Sequence, residues 1–200
     1  MKRLSLGILL AAMVAAPLSA ALKTGQKAPE FSANASLAGH EFQFSLASAL
    51  KKGPVVVYFF PSAFTRGCDL EAHTFAVNKA KFDAAGATII GVSQDSIERL
   101  NAFSADPNYC ASKIAVASDP HGAIARSYDL KVMAGRPGMK DVRGVVIGHA
   151  FTERTTFVVM PNDKVVATFS TSADHINPAQ HVERALAIVQ RLARERTSKH

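Results

Sequence analysis

Two short apolar runs frame the most regular part of the chain. Residues 54–60 (PVVVYFF) and 87–93 (ATIIGVS) are mostly β-branched or aromatic and short enough to be buried strands. Between them, from Cys68 onward, Leu70, Phe75 and Phe82 stand among small, polar and charged residues, and Gly86 supplies a helix stop signal. The order strand, helix, strand predicts a right-handed crossover joining parallel strands. Residues 94–96 (QDS) cap a second helix that runs through Arg99, Leu100 and Phe103 and stops at Asp106-Pro107-Asn108. A short strand and turn follow at 114–120, then a short helix at 121–128.

The flanks are less regular. Residues 23–31 read as an extended lead-in with Phe31 as its apolar anchor, and 42–50 as a short helix before the turn at 51–53. Residues 131–144 are rich in glycine and basic residues, include Met133 and Met139, and read as a loop. Residues 145–150 and 155–160 are β-prone runs on either side of 151–154. A turn at 161–164 and a strand at 165–170 complete a hairpin. Asn177-Pro178 opens a last helix, in which Val182, Leu186, Val189 and Leu192 recur at helical spacing. No repeat and no second domain interrupt this order. It predicts an α/β protein with a thioredoxin-like fold, a central mixed sheet flanked by helices.

Composition adds a destination. Lys2 and Arg3, an apolar stretch over 4–16 and small residues at 17–21 make residues 1–21 a secretory leader, cleaved after Ala20 or Ala21. The folded domain is then 22–200, in an exported, periplasmic protein. The whole chain carries +7; losing Lys2 and Arg3 leaves +5 on the mature part. Some of that charge sits in the tail 191–200, and no basic motif with interleaved aromatics points to nucleic acid. The seven histidines are scattered, without the spacing of a metal site, and no cofactor is implied. Two cysteines, Cys68 and Cys110, are too few for a disulfide scaffold, although a pair can bridge in an exported protein.

Cys68 is the candidate for chemistry. A cysteine in the first turn of a helix faces unpaired backbone amides and the positive end of the helix dipole, which favour the thiolate. Pro61 ends the preceding strand, Thr65 places a hydroxyl three residues before the sulfur, and Gly67 allows close backbone approach.

Pro61, Thr65 and Cys68, in the pattern proline, three residues, threonine, two residues, cysteine, resemble the active-site signature of the peroxiredoxins. Glu71, three residues after the cysteine, is also found in that family. So are the alanine-proline opening within 23–31, the turn Ser118-Asp119-Pro120, and Arg154 followed three residues later by Phe157. The resemblance covers nearly everything after the leader and is greatest to the bacterioferritin comigratory branch, although 131–144 is longer than that branch leads one to expect.

The resemblance implies a thiol-dependent peroxidase acting on hydrogen peroxide and organic hydroperoxides. In that reading Cys68 attacks the peroxide and becomes a sulfenic acid. Thr65 and the amides of Gly67 and Cys68 hold the peroxide, Arg154 supplies positive charge, and Glu71 holds Arg154. Many members of the branch resolve the sulfenic acid with a cysteine five residues on, where this chain has His73. Cys110 is the internal resolving candidate, with an external thiol reductant such as a thioredoxin-like protein as the partner. The protein would be a monomer or homodimer. The alternative is a redox-sensing or non-catalytic binding module on the same fold. Disulfide exchange is disfavoured because no Cys-x-x-Cys pair occurs.

Overall fold

A computed structural model describes residues 21–198. The leader expected over 1–21 therefore lies, apart from Ala21, outside the described residues.

The chain enters through a hairpin, β1 (Ser32–Leu37) and β2 (His40–Ser45), followed by α1 (Leu46–Leu50). This corrects the reading of 42–50 as helix throughout: Phe42 to Ser45 belong to a strand. The hairpin turn uses Ala38 and Gly39, both at positive φ, where a turn signal ordinarily carries Asn-Gly. Ser45 then caps α1 by accepting from the Ser48 N–H at 3.2 Å.

The predicted crossover is β3 (Val55–Phe59), α2 (Arg66–Ala84) and β4 (Thr88–Ser93), and β3 and β4 pair in parallel. Helix α3 (Ile97–Ala105), β5 (Ala115–Ser118) and α4 (Ala123–Ser127) follow as expected. Two minimal strands, β6 (Val132–Met133) and β7 (Phe151–Thr152), pin the ends of the loop segment to each other. The run 145–150 is not a strand. It makes only a single antiparallel bridge, Val146 with Lys140, and Val145 and Val146 are about half exposed, 49% and 54%. The hairpin β8 (Thr155–Val159) and β9 (Val165–Ser170) leads through the short α5 (Thr171–Asp174) to α6 (Pro178–Thr197). Asn177 and Gln180 close a capping box at the start of α6, with Pro178 in its first turn.

The main sheet runs β2-β1-β5-β4-β3-β8-β9 and is mixed, parallel at its centre and antiparallel on both sides. Alternation along β3 divides the core. Val56, Tyr58 and Phe60 face α2, α3 and α6, while Val55, Val57 and Phe59 face α1 and α4. All five residues of β3 are buried, as the continuous apolar run predicted. The loops that leave β3, β4 and β5 gather at one end of the sheet, and Cys68 lies there.

Candidate active site

Local sequence builds the cysteine loop. After β3, Phe60 makes one more sheet bond, its N–H donating to Val92 O at 3.1 Å, and Pro61 then turns the chain away. Helix α2 begins at Arg66, and its first helical bond runs from the Asp69 N–H to Thr65 O at 2.8 Å. The amides of Arg66, Gly67 and Cys68 thus precede the ladder at the positive end of the helix. Thr65 occupies the cap position in extended conformation, but its hydroxyl does not cap the helix; it donates to Ser62 O at 2.8 Å. Phe64, just before it, has φ of +58°, an unusual backbone state for a bulky side chain.

Two distant residues complete the site. Arg154, just before β8, donates from Nη2 to Cys68 Sγ at 3.1 Å and from Nη1 to Glu71 Oε2. Glu71 lies one helical turn after Cys68 and is fully buried. Gly67 makes room for this arrangement. A Cβ on Gly67 would stand 3.2 Å from Arg154 Nη2 and 3.5 Å from Pro178 Cγ, so any side chain there crowds the guanidinium. Pro61, Thr65, Cys68, Glu71 and Arg154 are therefore all found around one loop and helix start.

The electrostatics correct one expectation. Burial pushes the Cys68 thiol up from its ordinary value. The Arg154 charge, the Thr65 hydroxyl and a hydrogen bond with the Ser62 backbone pull it back without cancelling the rise. A helix start favours a thiolate, but Cys68 is 2% exposed and the hydration its thiolate loses outweighs what its neighbours supply. Burial also raises Glu71 to about 7 against the pull of Arg154. Burial alone would lower Arg154, but the charges of Glu71 and Cys68 outweigh it and keep the guanidinium ionised. One permanent cation thus faces two acids, and removing the proton of either gives it a counterion.

Cys110 is buried beyond the end of α3, in the same core cluster as Cys68, and both cysteines are free thiols. His73 lies on an exposed face of α2. Asp119 of the Ser118-Asp119-Pro120 turn accepts the N–H groups of Ile124 and Ala125 at the start of α4, and Ser118 donates to Asp95 O at 2.6 Å. Residues that sequence reasoning passed over stand behind the cysteine loop. In the sequence Asp95 and Arg99 read only as part of a helix start, and His149 only as part of a β-prone run. The one available signal was the position of Asp95, in a loop leaving a parallel strand, where functional groups tend to collect. No group of three or more His, Cys, Asp or Glu suited to a metal occurs among the described residues.

The AhpC/TSA family model matches residues 24–168. The chain is 30% identical over 141 residues to the peroxiredoxin Bcp of Xanthomonas campestris, covering 70% of this chain and 79% of that protein. It is also 30% identical over 145 residues to the chloroplastic peroxiredoxin Q of Sedum lineare, covering 72% of this chain and 68% of that one. Among solved structures, the peroxidoxin BcpB of Mycobacterium tuberculosis superposes with a TM-score of 0.68 at 26% identity, over 84% of this chain and 97% of that one. The bacterioferritin comigratory protein of Xanthomonas campestris, studied for alkyl peroxide reduction, gives 0.61 at 29% identity, over 80% and 91%.

Proposed function

The chain belongs to the AhpC/TSA family and is a thiol-dependent peroxidase, and on that premise we propose that Cys68 is the residue that attacks the peroxide. The observation that carries this assignment is the 3.1 Å contact between Arg154 Nη2 and the Cys68 sulfur, with Glu71 holding the same guanidinium. The Cys68 thiolate attacks one oxygen of the peroxide along the O–O axis. The O–O bond breaks, the departing oxygen takes its electrons and then a proton, and Cys68 is left as a sulfenic acid. Arg154 and the amides of Gly67 and Cys68 face the charge that develops on the departing oxygen. The Thr65 hydroxyl, held by Ser62 O, keeps acceptor lone pairs free for a peroxide proton. Hydrogen peroxide and organic hydroperoxides both meet these requirements, and an external thiol restores the enzyme.

Cys110 is the resolving thiol in this proposal. It shares a core cluster with Cys68, and the turn that carries it places two successive non-glycine residues, Ala111 and Ser112, at φ of 51° and 57°. Each such residue costs roughly 1–2 kcal/mol, so this turn is a cheap place to open and bring Cys110 to the sulfenic acid. The basic start at Lys2 and Arg3, the apolar stretch 4–16 and the small residues at 17–21 support a leader and export to a compartment where such a disulfide persists. An intact mass that begins at Ala21 or Leu22 is expected for protein from the cell envelope.

Mass spectrometry without reductant, after one equivalent of peroxide, tests the assignment. A Cys68–Cys110 disulfide is expected, and a lasting Cys68 sulfenic acid would instead assign resolution to an external thiol. Cys68→Ser should abolish peroxide consumption; turnover at the wild-type rate would overturn the central claim.

A further inference from the structure

The loop segment that the sequence marked as long is tied to the cysteine loop through a buried charged network, which peroxide chemistry as described does not use. Its centre is the Asp95 carboxylate, fully buried just after β4. Oδ2 accepts the Ala63 N–H at 2.8 Å and the Ser93 hydroxyl at 2.7 Å. Oδ1 accepts the Ser62 hydroxyl at 3.1 Å, Arg99 Nε at 2.7 Å and His149 Nε2 at 2.9 Å. Asp95 therefore holds two consecutive residues of the cysteine loop, one through its backbone.

The protonation of His149 follows from its partners. Nε2 faces the Asp95 carboxylate, and Nδ1 lies 2.7 Å from Ala150 O. The Ser62 hydroxyl also lies 3.3 Å from Nε2 but donates to Asp95, and neither the carboxylate nor the carbonyl has a proton to give, so the imidazolium is the form that satisfies both ring nitrogens as donors. The other charges on this network are Arg99, Asp141 and Arg143. Arg99 bonds Ala63 O at 2.8 Å and pairs with Asp141 at 2.8 Å, and Arg143 pairs with Asp141 at 2.9 Å. With His149 neutral, one contact becomes oxygen against lone pair and Asp95 loses a cation.

What this network holds in place is Phe64. Its carbonyl accepts the Val142 N–H at 2.9 Å, and the Arg143 guanidinium carbon lies 3.2 Å from its ring centroid. At φ of +58° Phe64 is strained, and it persists only because its surroundings over-determine it. Thr65 and the first turn of α2 follow directly. Relaxation at Phe64 redirects the chain that enters the helix and moves Cys68 relative to Arg154.

We propose that Asp95 and His149 are positioning residues for peroxide reduction: their ion pair fixes Ser62 and Ala63, holds Phe64 in its strained state, and so sets the Cys68 sulfur against Arg154. The side-chain hydrogen bond to that sulfur comes from Arg154, not from either residue. The proposal rests on the peroxidase reading for its function, but the positioning itself is measurable without peroxide. Burial alone would make His149 easier to deprotonate; the Asp95 hydrogen bond and charge and the Ala150 carbonyl outweigh it, while Arg99 opposes them. The pair therefore persists to higher pH than a free imidazole's proton would, and is lost as pH rises further.

The test is the pH profile of Cys68 alkylation by iodoacetamide, read by mass on the Cys68 peptide, alongside the rate of Cys68 oxidation by hydrogen peroxide. Wild type should show two ionisations, the thiol and His149. His149→Gln keeps a neutral donor to Asp95 and should show only the thiol, shifted upward, with peroxide oxidation at neutral pH slowed roughly tenfold. Ser62→Ala removes one contact and should slow it less. If Asp95→Asn does not fold, these two milder variants still decide the matter. An alkylation profile unchanged from wild type in both variants, with rates within about twofold, overturns the proposal. Wild-type protein that reacts with peroxide no faster than free cysteine would sink the peroxidase reading instead, while the alkylation profile would still report on positioning.

Discussion

Cys68 and Cys110 lie in one core cluster, 2% and 0% exposed, in opposite electrostatic settings. Burial raises both thiols. At Cys68 a guanidinium, a hydroxyl and a backbone hydrogen bond pull the other way. At Cys110 the neighbouring charges are Asp69 and Asp106, which add to the rise and push that thiol far up. Equal burial thus produces unequal nucleophiles, and the difference comes from which elements end beside each sulfur. Cys68 has a helix start and the approach to β8; Cys110 has a turn flanked by acids. This difference fits an order of events in which Cys68 reacts with peroxide first and Cys110 acts only after its turn opens.

Removing the cation should break the contrast most strongly. Arg154→Met should lower the peroxide rate by roughly a hundredfold or more and raise the Cys68 pKa, because it deletes charge facing both the sulfur and the departing oxygen. It also leaves Glu71 buried without its partner, so Glu71→Gln combined with Arg154→Met is the control for stability. Stopped-flow oxidation of Cys68 measures the rate, and a variant near wild type would show that Arg154 is only structural.

Alkylation of the native protein sharpens the contrast directly. Cys68 should be modified about a hundredfold faster than Cys110 at neutral pH, and the ratio should collapse in denaturant. Peptide mass spectrometry over a time course gives both rates in one sample.

His181 reads the Arg154 field from the other side. It is fully buried, with Nδ1 at 3.0 Å from the Thr156 hydroxyl and Nε2 at 2.9 Å from the Thr171 hydroxyl. Burial, and then the Arg154 charge, lower it to about 4. Unfolded histidine binds its proton near 6.5, so between these values the unfolded chain holds a proton that the folded chain does not. Stability must therefore fall as pH drops from about 6.5 toward about 4, by about 2 kcal/mol from this residue. Urea unfolding at several pH values tests this, with His181→Leu expected to flatten the slope.

The smallest effect concerns the second thiol. Cys110→Ala, chosen because serine would bury an unsatisfied hydroxyl, should leave the first turnover intact and slow cycling with a thioredoxin-like reductant severalfold. Cys68 should also overoxidise more readily, since its sulfenic acid waits longer. Steady-state turnover equal to wild type would remove Cys110 from the cycle.

Much of this protein is determined locally and can be read along the chain. The run 54–60 becomes β3 because a continuous β-branched stretch has little alternative to burial between two layers. Helix α2 starts where Pro61 ends the strand and places Cys68 in the first turn, and Asn177-Pro178 opens α6. The meeting of Glu71 and Arg154, 83 residues apart, was legible only through the resemblance, since no local rule pairs them. The hairpin over 32–45 has no local signature, because its turn is Ala38-Gly39 and β1 is made largely of small residues, so its pairing depends on β5 lying alongside. Asp95 and His149, 54 residues apart, were invisible as a pair because His149 sits in an irregular segment with no periodicity to place it. The state of the Cys68 thiol also lay beyond the sequence. A helix start sets which charges it meets, but desolvation depends on what covers the sulfur, and only the packing of Arg154, Glu71 and the surrounding loops decides that.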